Sequence, residues 1–212
     1  MSNYHQNIKD ALPDPKRVKK IKKDLESKGV KYIYSNWIDF LGSPKTKPMP
    51  ISDFEDLCAG KGPQFAVHSV SFVPELTPAD NDQIPVPDLD SLVICPWDKT
   101  CAWVFADLYW NDKPYDVCPR MTLKRQIKKC EKSDLKFFVG IEPEFFLMKW
   151  DGDKPVKAID RDPIPLRRQA FGYDAEYSID GMNFLKEIID ILNNDLKWDL
   201  HDVVAEGAYG QY

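Results

Sequence analysis

The sequence predicts a mixed α+β protein in two parts, a small and mostly β domain followed by the opening of an α/β domain. Three observations carry this prediction. Between residues 30 and 115, short aromatic and β-branched runs alternate with turn-forming clusters of Pro, Gly, Asp and Asn. After that, stretches with helical apolar periodicity alternate with extended runs. The 212 residues, 43% of them apolar, are enough to close a full hydrophobic core.

The elements follow in order. Residues 1–13 are polar and read as a loose terminus. Asp14-Pro15 is an N-cap with proline at the first helical position, Val18, Ile21 and Leu25 share a stripe, and Gly29 stops the helix; residues 1–29 thus form an N-terminal segment and amphipathic helix. Its basic residues from Lys16 to Lys23 read as a solvated face. The β-rich domain is placed at 30–115. It opens with the strand Tyr32–Ile38, a turn from Asp39 to Pro44, and an extended piece, Thr46–Ile51, whose prolines confine it to an edge. A short helix is expected from Ser52 to Cys58, then extended runs at Phe65–Val73, Ser91–Pro96 and Cys101–Trp110, the last closed by a turn at Asn111 to Pro114.

The second part is placed at 116–212. Met121–Lys132 is an amphipathic helix with Leu123, Ile127 and Cys130 on its apolar stripe. Lys136–Met148 is a strand, and an irregular stretch runs from Asp151 to about Ser178. A helix from Asp180 to Leu196 turns Met182, Leu185, Ile188, Ile189 and Leu192 inward, and Trp198–Val204 is a last strand.

Charge and cysteine usage narrow the function classes. Twenty-nine basic against thirty-four acidic residues give a net charge of −5, which argues against nucleic acid as a main partner. Five cysteines, odd in number and never spaced C-x-x-C, disfavour a disulfide scaffold or a structural zinc site and suit reduced thiols in a cytoplasm. No apolar run is long enough for a membrane span. There is no Walker A loop, no G-x-G-x-x-G, and none of the three histidines pairs at metal-ligand spacing.

The segment from Phe137 to Leu147 is the richest in chemistry. On a strand, Glu142 and Glu144 fall on the same face, about 6.5 Å apart by two residue rises, while the other face is wholly apolar. Two like charges in a partly dehydrated setting call for neutralisation, and a hard divalent cation with oxygen ligands provides it. The same spacing also fits the paired acids of a glycosidase, or simply a solvated face. Glu206, at a strand end before a glycine turn, is placed where sheets present ligands or make an ordinary exit to a loop. Asp39, Asp82 and Asp88 read by themselves as turn chemistry.

These pieces, in this order, resemble the glutamine synthetase family, and their texture is nearest to its relatives that join glutamate to alkylamines. The similarity is carried by G-I-E-P-E-F-F-L at 140–147 and E-G-A-Y-G-Q-Y at 206–212. It is supported by the Asp39 turn before K-T-K-P-M-P-I, D-Q-I-P-V-P-D at 82–88 and D-V-C-P-R at 116–120. The resemblance implies a β-grasp-like N-terminal domain and the first part of a catalytic α/β domain, incomplete at the C-terminus. It implies an ATP-dependent ligase that uses Mg2+ or Mn2+ to join ammonia or a small amine to the γ-carboxylate of glutamate through γ-glutamyl phosphate. By position, Glu144 and Glu206 would hold the metal on the glutamate side and Glu142 the metal on the nucleotide side. Asp39 would reach a neighbouring subunit of a ring oligomer and help bind and deprotonate ammonium. The family's histidine ligand and substrate-binding arginines lie downstream of this stretch, so activity is expected to need a C-terminal complement. The rival expectation is a non-catalytic remnant that binds and modulates a full-length synthetase.

Overall fold

The computed structural model describes residues 4–71, 75–158, 172–208 and 210–212, a mixed α+β chain that falls into two units, Met1–Phe138 and Val139–Tyr212. Over its described part, from residue 4, the amino-terminal stretch is not loose. It carries a short helix, α1 (Ile8–Ala11), because Tyr4 and Ile8 are buried in a core cluster with Tyr109, Tyr115 and Met121. Backbone bonds tie it down: Ile8 N–H donates to the Asp112 carbonyl at 3.0 Å. Helix α2 (Pro15–Ser27) forms as expected, with the Asp14 carboxylate accepting from Lys16 N–H at 3.0 Å and Gly29 leaving the helix at φ +85°. Val18 and Leu25 face the core, while the basic face pairs outward, Arg17 with Asp90 at 2.5 Å and Lys22 with Glu55 at 3.3 Å.

Strand β1 (Tyr32–Ile38) pairs antiparallel with β2 (Pro44–Pro50), which is the outermost strand, where prolines are tolerated. A 3-10 turn at Ile51–Asp53 leads into α3 (Phe54–Cys58). The extended run expected at Phe65–Val73 is instead a helix, α4 (Val67–Ser71), over its described part; residues 72–74 lie outside the described residues. Among the described residues its one cross-strand contact is the bridge Phe65↔Gln83, too little to hold a strand against local turns such as Ser69 N–H to the Ala66 carbonyl.

Four further strands complete the sheet: β3 (Ile84–Pro87), β4 (Val93–Ile94), β5 (Cys101–Trp110) and β6 (Lys113–Pro114). Strand β5 is central. Tyr32–Asn36 of β1 lie parallel to its Cys101–Phe105; β3 and β4 pair antiparallel along the other edge, and β6 pairs antiparallel with the end of β5 on the β1 side, since Tyr109 meets Ile84 of β3 and Pro114 of β6 at once. Asn111 and Asp112, at φ +51° and +63°, make the tight turn between β5 and β6 that an antiparallel hairpin favours. Strand β3 escapes the pattern of the sequence because alternate prolines replace apolar alternation; pairing on one edge only makes them harmless. Helices α2 and α3 cover the sheet through Val18, Leu25, Phe54 and Leu57 against Ile33, Ala102 and Val104.

Helix α5 (Pro119–Lys132) packs within this first unit and presents the opposite face to the one expected. Leu123 and Ile127 are 60% and 41% exposed, whereas Met121 is fully buried and Lys124 nearly so. The reason is electrostatic. Lys124 donates to Asp107 at 2.6 Å and to Asp88 at 3.3 Å; Arg120 donates to Asp107 at 2.8 Å and also to Asp88. Two cations and two carboxylates balance, which makes burial of this group tolerable. Partial dehydration pushes the Asp88 carboxyl up, but Lys124 and Arg120 outweigh it and hold it below the usual range.

In the second unit, Met148–Asp151 (β7) and Lys154–Lys157 (β8) form a hairpin where an irregular stretch was expected, with Gly152 at φ +62° in the turn. The remainder of that stretch, 159–171, lies outside the described residues. Helix α6 (Ala175–Asp190) starts earlier than expected because Asp174 caps it, accepting from Glu176 N–H at 3.0 Å and Tyr177 N–H at 3.4 Å. A π-helical turn, Ile191–Asp195, ends it. Leu185 and Tyr177 pack with Ala205 and Tyr212, and Met182, Phe145 and Leu147 flank them. The strands expected at Lys136–Met148 and Trp198–Val204 do not form; only Met148, the last residue of the first run, lies in a strand. Among the described residues neither run has a strand ladder beside it, and a lone extended segment leaves its amides to water. Phe137, Phe138 and Ile141 are accordingly more than 80% exposed, on both faces of the segment.

Two outcomes follow from the α5 arrangement. Met121→Ala should cost about 2–5 kcal/mol in urea unfolding, and Leu123→Ala no more than about 0.5 kcal/mol. Lys124→Met should cost about 3–5 kcal/mol, because it leaves two carboxylates facing one cation. Because Asp88 titrates below its unfolded value, its contribution is full at neutral pH and falls away as pH drops through the lowered pKa. An acid-unfolding midpoint unchanged by Lys124→Met would contradict this.

Candidate functional site

The two motifs of the second unit meet at a small antiparallel bridge. Phe145 and Tyr212 exchange backbone hydrogen bonds at 2.9 and 3.0 Å, and Leu147 N–H donates to the Gly210 carbonyl at 3.1 Å. Alternation then decides the chemistry: Phe145 and Leu147 turn toward the Tyr177–Leu185 core, so Glu144 and Phe146 turn away from it, beside Gln211. The Gln211 side-chain amide donates to Glu144 Oε2 at 2.7 Å. Backbone N–H of Glu206 donates to the Gln211 carbonyl at 3.0 Å, and Gln211 N–H to the Ala208 carbonyl at 3.1 Å. Gly210, at φ +77°, supplies the left-handed residue that this turn requires. Residue 209 of the motif lies outside the described residues.

Gln211 therefore ties Glu144 and Glu206 to one place. The bridge is held from behind by Tyr212, whose hydroxyl donates to the Tyr177 carbonyl at 3.0 Å and whose ring lies against Gly181, where an added Cβ would come within 2.4 Å. Glu142 is exposed, two residues before Glu144. Among the described residues, no three His, Cys, Asp or Glu side chains are gathered into a set that could hold a metal ion. Carboxylate oxygens are the donors a hard divalent cation takes, so Glu144 and Glu206 fit part of such a site. The role of Gln211 in orienting Glu144 was not singled out from the sequence; the Gly-Gln step opposite E-P-E is the signal that could have pointed to it.

Asp39 lies in the first unit, at the end of β1, and its carboxylate is turned into its own loop. Oδ1 accepts from Leu41 N–H at 3.0 Å and Ser43 N–H at 2.8 Å, and the Lys45 ammonium lies 3.4 Å from Oδ2. The residue is 4% exposed. Dehydration pushes its carboxyl up, but the amide of Ser43, the Lys45 side chain and the amide of Leu41 together bring it below the usual range. Gly42, at φ +82°, closes the turn. Beside it, Trp37, Gln83, Tyr115 and Cys118 line a cavity of about 10 Å³, roughly the space of one water molecule. Of the other acids considered, Asp82 is exposed, while Asp88 belongs to the charged group under α5. His68 Nε2 lies 3.2 Å from the hydroxyl of its neighbour Ser69.

Residues 116–212 match the family model described as glutamine synthetase, catalytic domain. Over that span, and along most of its length, the chain resembles the glutamine synthetase family. It is 32% identical over 185 residues to the glutamine synthetase of Rhizobium meliloti (strain 1021), covering 87% of this chain and 40% of that protein. It is 28% identical over 193 residues to the glutamate–methylamine ligase of Methyloversatilis universalis, covering 89% and 41%. A solved structure of a GmaS/ADP complex superposes with a TM-score of 0.72 at 26% identity, over 90% of this chain and 42% of that one. The chain thus spans about 40% of the length of these glutamine synthetase relatives. No helix among its described residues is long and apolar enough to cross a membrane.

Asp39→Asn keeps an oxygen for the amides of Leu41 and Ser43 and removes the charge beside Lys45. It should lower the melting temperature at neutral pH, and the gap to the parent should close as pH falls through the depressed Asp39 pKa. Thermal melts across an acid-to-neutral series check this; a gap independent of pH would assign the effect to shape alone.

Proposed function

We propose that this chain supplies the N-terminal portion of an ATP-dependent ligase that joins ammonia or a small amine to the γ-carboxylate of glutamate. In this reading the first unit is a β-grasp-like domain and the second the beginning of the catalytic domain. The remaining catalytic residues come from a C-terminal complement. The observation that carries the reading is the Gln211 link, which holds Glu144 and the backbone of Glu206 at one bridge although they are far apart in sequence. The likeness to both a glutamine synthetase and a glutamate–methylamine ligase supports the reaction class and leaves ammonia and small alkylamines as the candidate nucleophiles.

Glu144 and Glu206 would hold Mg2+ or Mn2+ on the glutamate side, and Glu142 would contribute on the nucleotide side. Bound there, the cations offset phosphate charge during transfer. A γ-carboxylate oxygen of glutamate attacks the terminal phosphorus of ATP, ADP leaves, and the amine then displaces phosphate from the acyl phosphate to give the amide. Asp39 is ionised at neutral pH and would stabilise the incoming ammonium in a neighbouring subunit of a ring oligomer. The scattered free thiols fit a cytoplasmic setting.

The test is to coexpress the chain with a polypeptide covering the downstream part of the Rhizobium enzyme and to measure phosphate release. Release should require ATP, Mg2+, glutamate and either ammonia or methylamine, and should be absent for each piece alone. Glu144→Gln or Glu206→Gln should lower it by at least about 100-fold, since even changing a group that only hydrogen-bonds to a metal ligand costs about 10–100-fold. Cation binding unaffected by Glu142→Gln and Glu144→Gln, together with capture of an intact synthetase in native mass spectrometry, would favour a non-catalytic modulator instead.

A further inference from the structure

Away from that site, two thiols face each other across an edge hairpin. Strand β4 pairs with β5 in the register Val93↔Trp103 and Ile94↔Ala102. The next step sets Cys95 opposite Cys101, with Cys95 N–H donating to the Cys101 carbonyl at 2.9 Å. Opposed residues of an antiparallel pair put their side chains on one face. Cys101 N–H turns to the Asp98 carbonyl at 3.0 Å, so the two cysteines make one of the two bonds of a hydrogen-bonded pair at the end of the ladder; such a pair has Cα atoms about 5.5 Å apart, within the reach of about 4.4–6.8 Å for a disulfide. Both cysteines are free, at 1% and 5% exposure.

We propose that Cys95 and Cys101 are a redox modification site, which hydrogen peroxide converts to a reversible cross-strand disulfide. Cys101 reacts first. Its thiol donates to Asp98 Oδ2, 3.3 Å away, which fixes the sulfur at the turn end of the hairpin. The Cys101 sulfur attacks one peroxide oxygen, the O–O bond breaks, and the departing hydroxide takes the thiol proton to leave as water. The Cys95 sulfur then attacks the resulting sulfenic sulfur; the S–O bond breaks, the S–S bond forms, and the hydroxyl leaves as a second water with the Cys95 proton. Two thiols are oxidised and one peroxide is reduced to two waters.

Access comes through the hairpin itself. Strand β4 is two residues long and lies at the sheet edge, and the turn beyond it is covered by Trp97, itself 66% exposed and edge-on to Trp103 at 5.2 Å. So short an edge opens locally without unfolding the sheet. The other three thiols lack such a partner. Cys58 and Cys118 are fixed in separate core clusters, with burial pushing Cys58 up to about 12, and Cys130 lies on α5.

The test is brief treatment of the full folded chain with hydrogen peroxide, followed by non-reducing peptide mass spectrometry. Trypsin cuts after Lys99, between the two cysteines, so peptides 62–99 and 100–120 should remain joined until dithiothreitol separates them. Fragmentation should place the bond at Cys101 rather than Cys118. Cys95→Ser should abolish the link and leave a dimedone-reactive sulfenic acid at Cys101, with circular dichroism showing the fold retained. The proposal is overturned if the folded parent forms no link, if the link involves Cys118 or another cysteine, or if it forms only in urea.

Discussion

Strand β5 is the constraint on which the first unit depends. Every other strand of its six-stranded sheet except β2 bonds to it directly, and β2 is held through β1. A strand flanked on both edges needs uninterrupted donors and acceptors, and Cys101–Trp110 contains no proline or glycine to break the ladder. Prolines are instead frequent in β2 and β3, which use only one edge against their neighbours. The division of proline between strands thus follows from which strand must bond on both sides.

The charged group of Asp88, Asp107, Arg120 and Lys124 joins this sheet to α5 and explains why the helix face was misread. Apolar periodicity selects Leu123 and Ile127 as the inner stripe. The observed inner positions are Met121, Lys124 and, near the amino terminus, Lys128, whose ammonium donates to the Tyr4 carbonyl at 3.2 Å. They share the same helical spacing, but two of the three are lysines. Patterning of apolar residues cannot register a face that is filled by long aliphatic stems with paired charges at their tips. The arginine in D-V-C-P-R, seen in the sequence only as a family marker, is part of that pairing.

Much of the first unit was legible, because α2, β1, β5 and the two hairpin turns are specified locally by caps, β-branched runs and turn residues. The second unit was less so. Lys136–Glu144 has strand composition, yet a strand is a relation between segments and composition cannot supply the neighbour. The candidate site shows the same limit. Glu144 and Glu206 could be chosen by residue type and motif, whereas the amide of Gln211 that joins them depends on a bridge between distant residues. The Asp39 carboxylate, read first as turn chemistry, does serve its turn, accepting from two amides of the loop.

The parallel seam between β1 and β5 also bears on how the first unit reaches its native state. The β1–β2 and β5–β6 pairs are hairpins closed by short turns and can form within microseconds as separate pieces. Joining Tyr32 to Cys101 requires closing a loop that holds β2, α3, α4 and β3, and that entropy is lost before the seam returns any bonding energy. The parallel seam thus carries a far larger loop-closure cost than either hairpin, a cost set by topology rather than by the residues in contact.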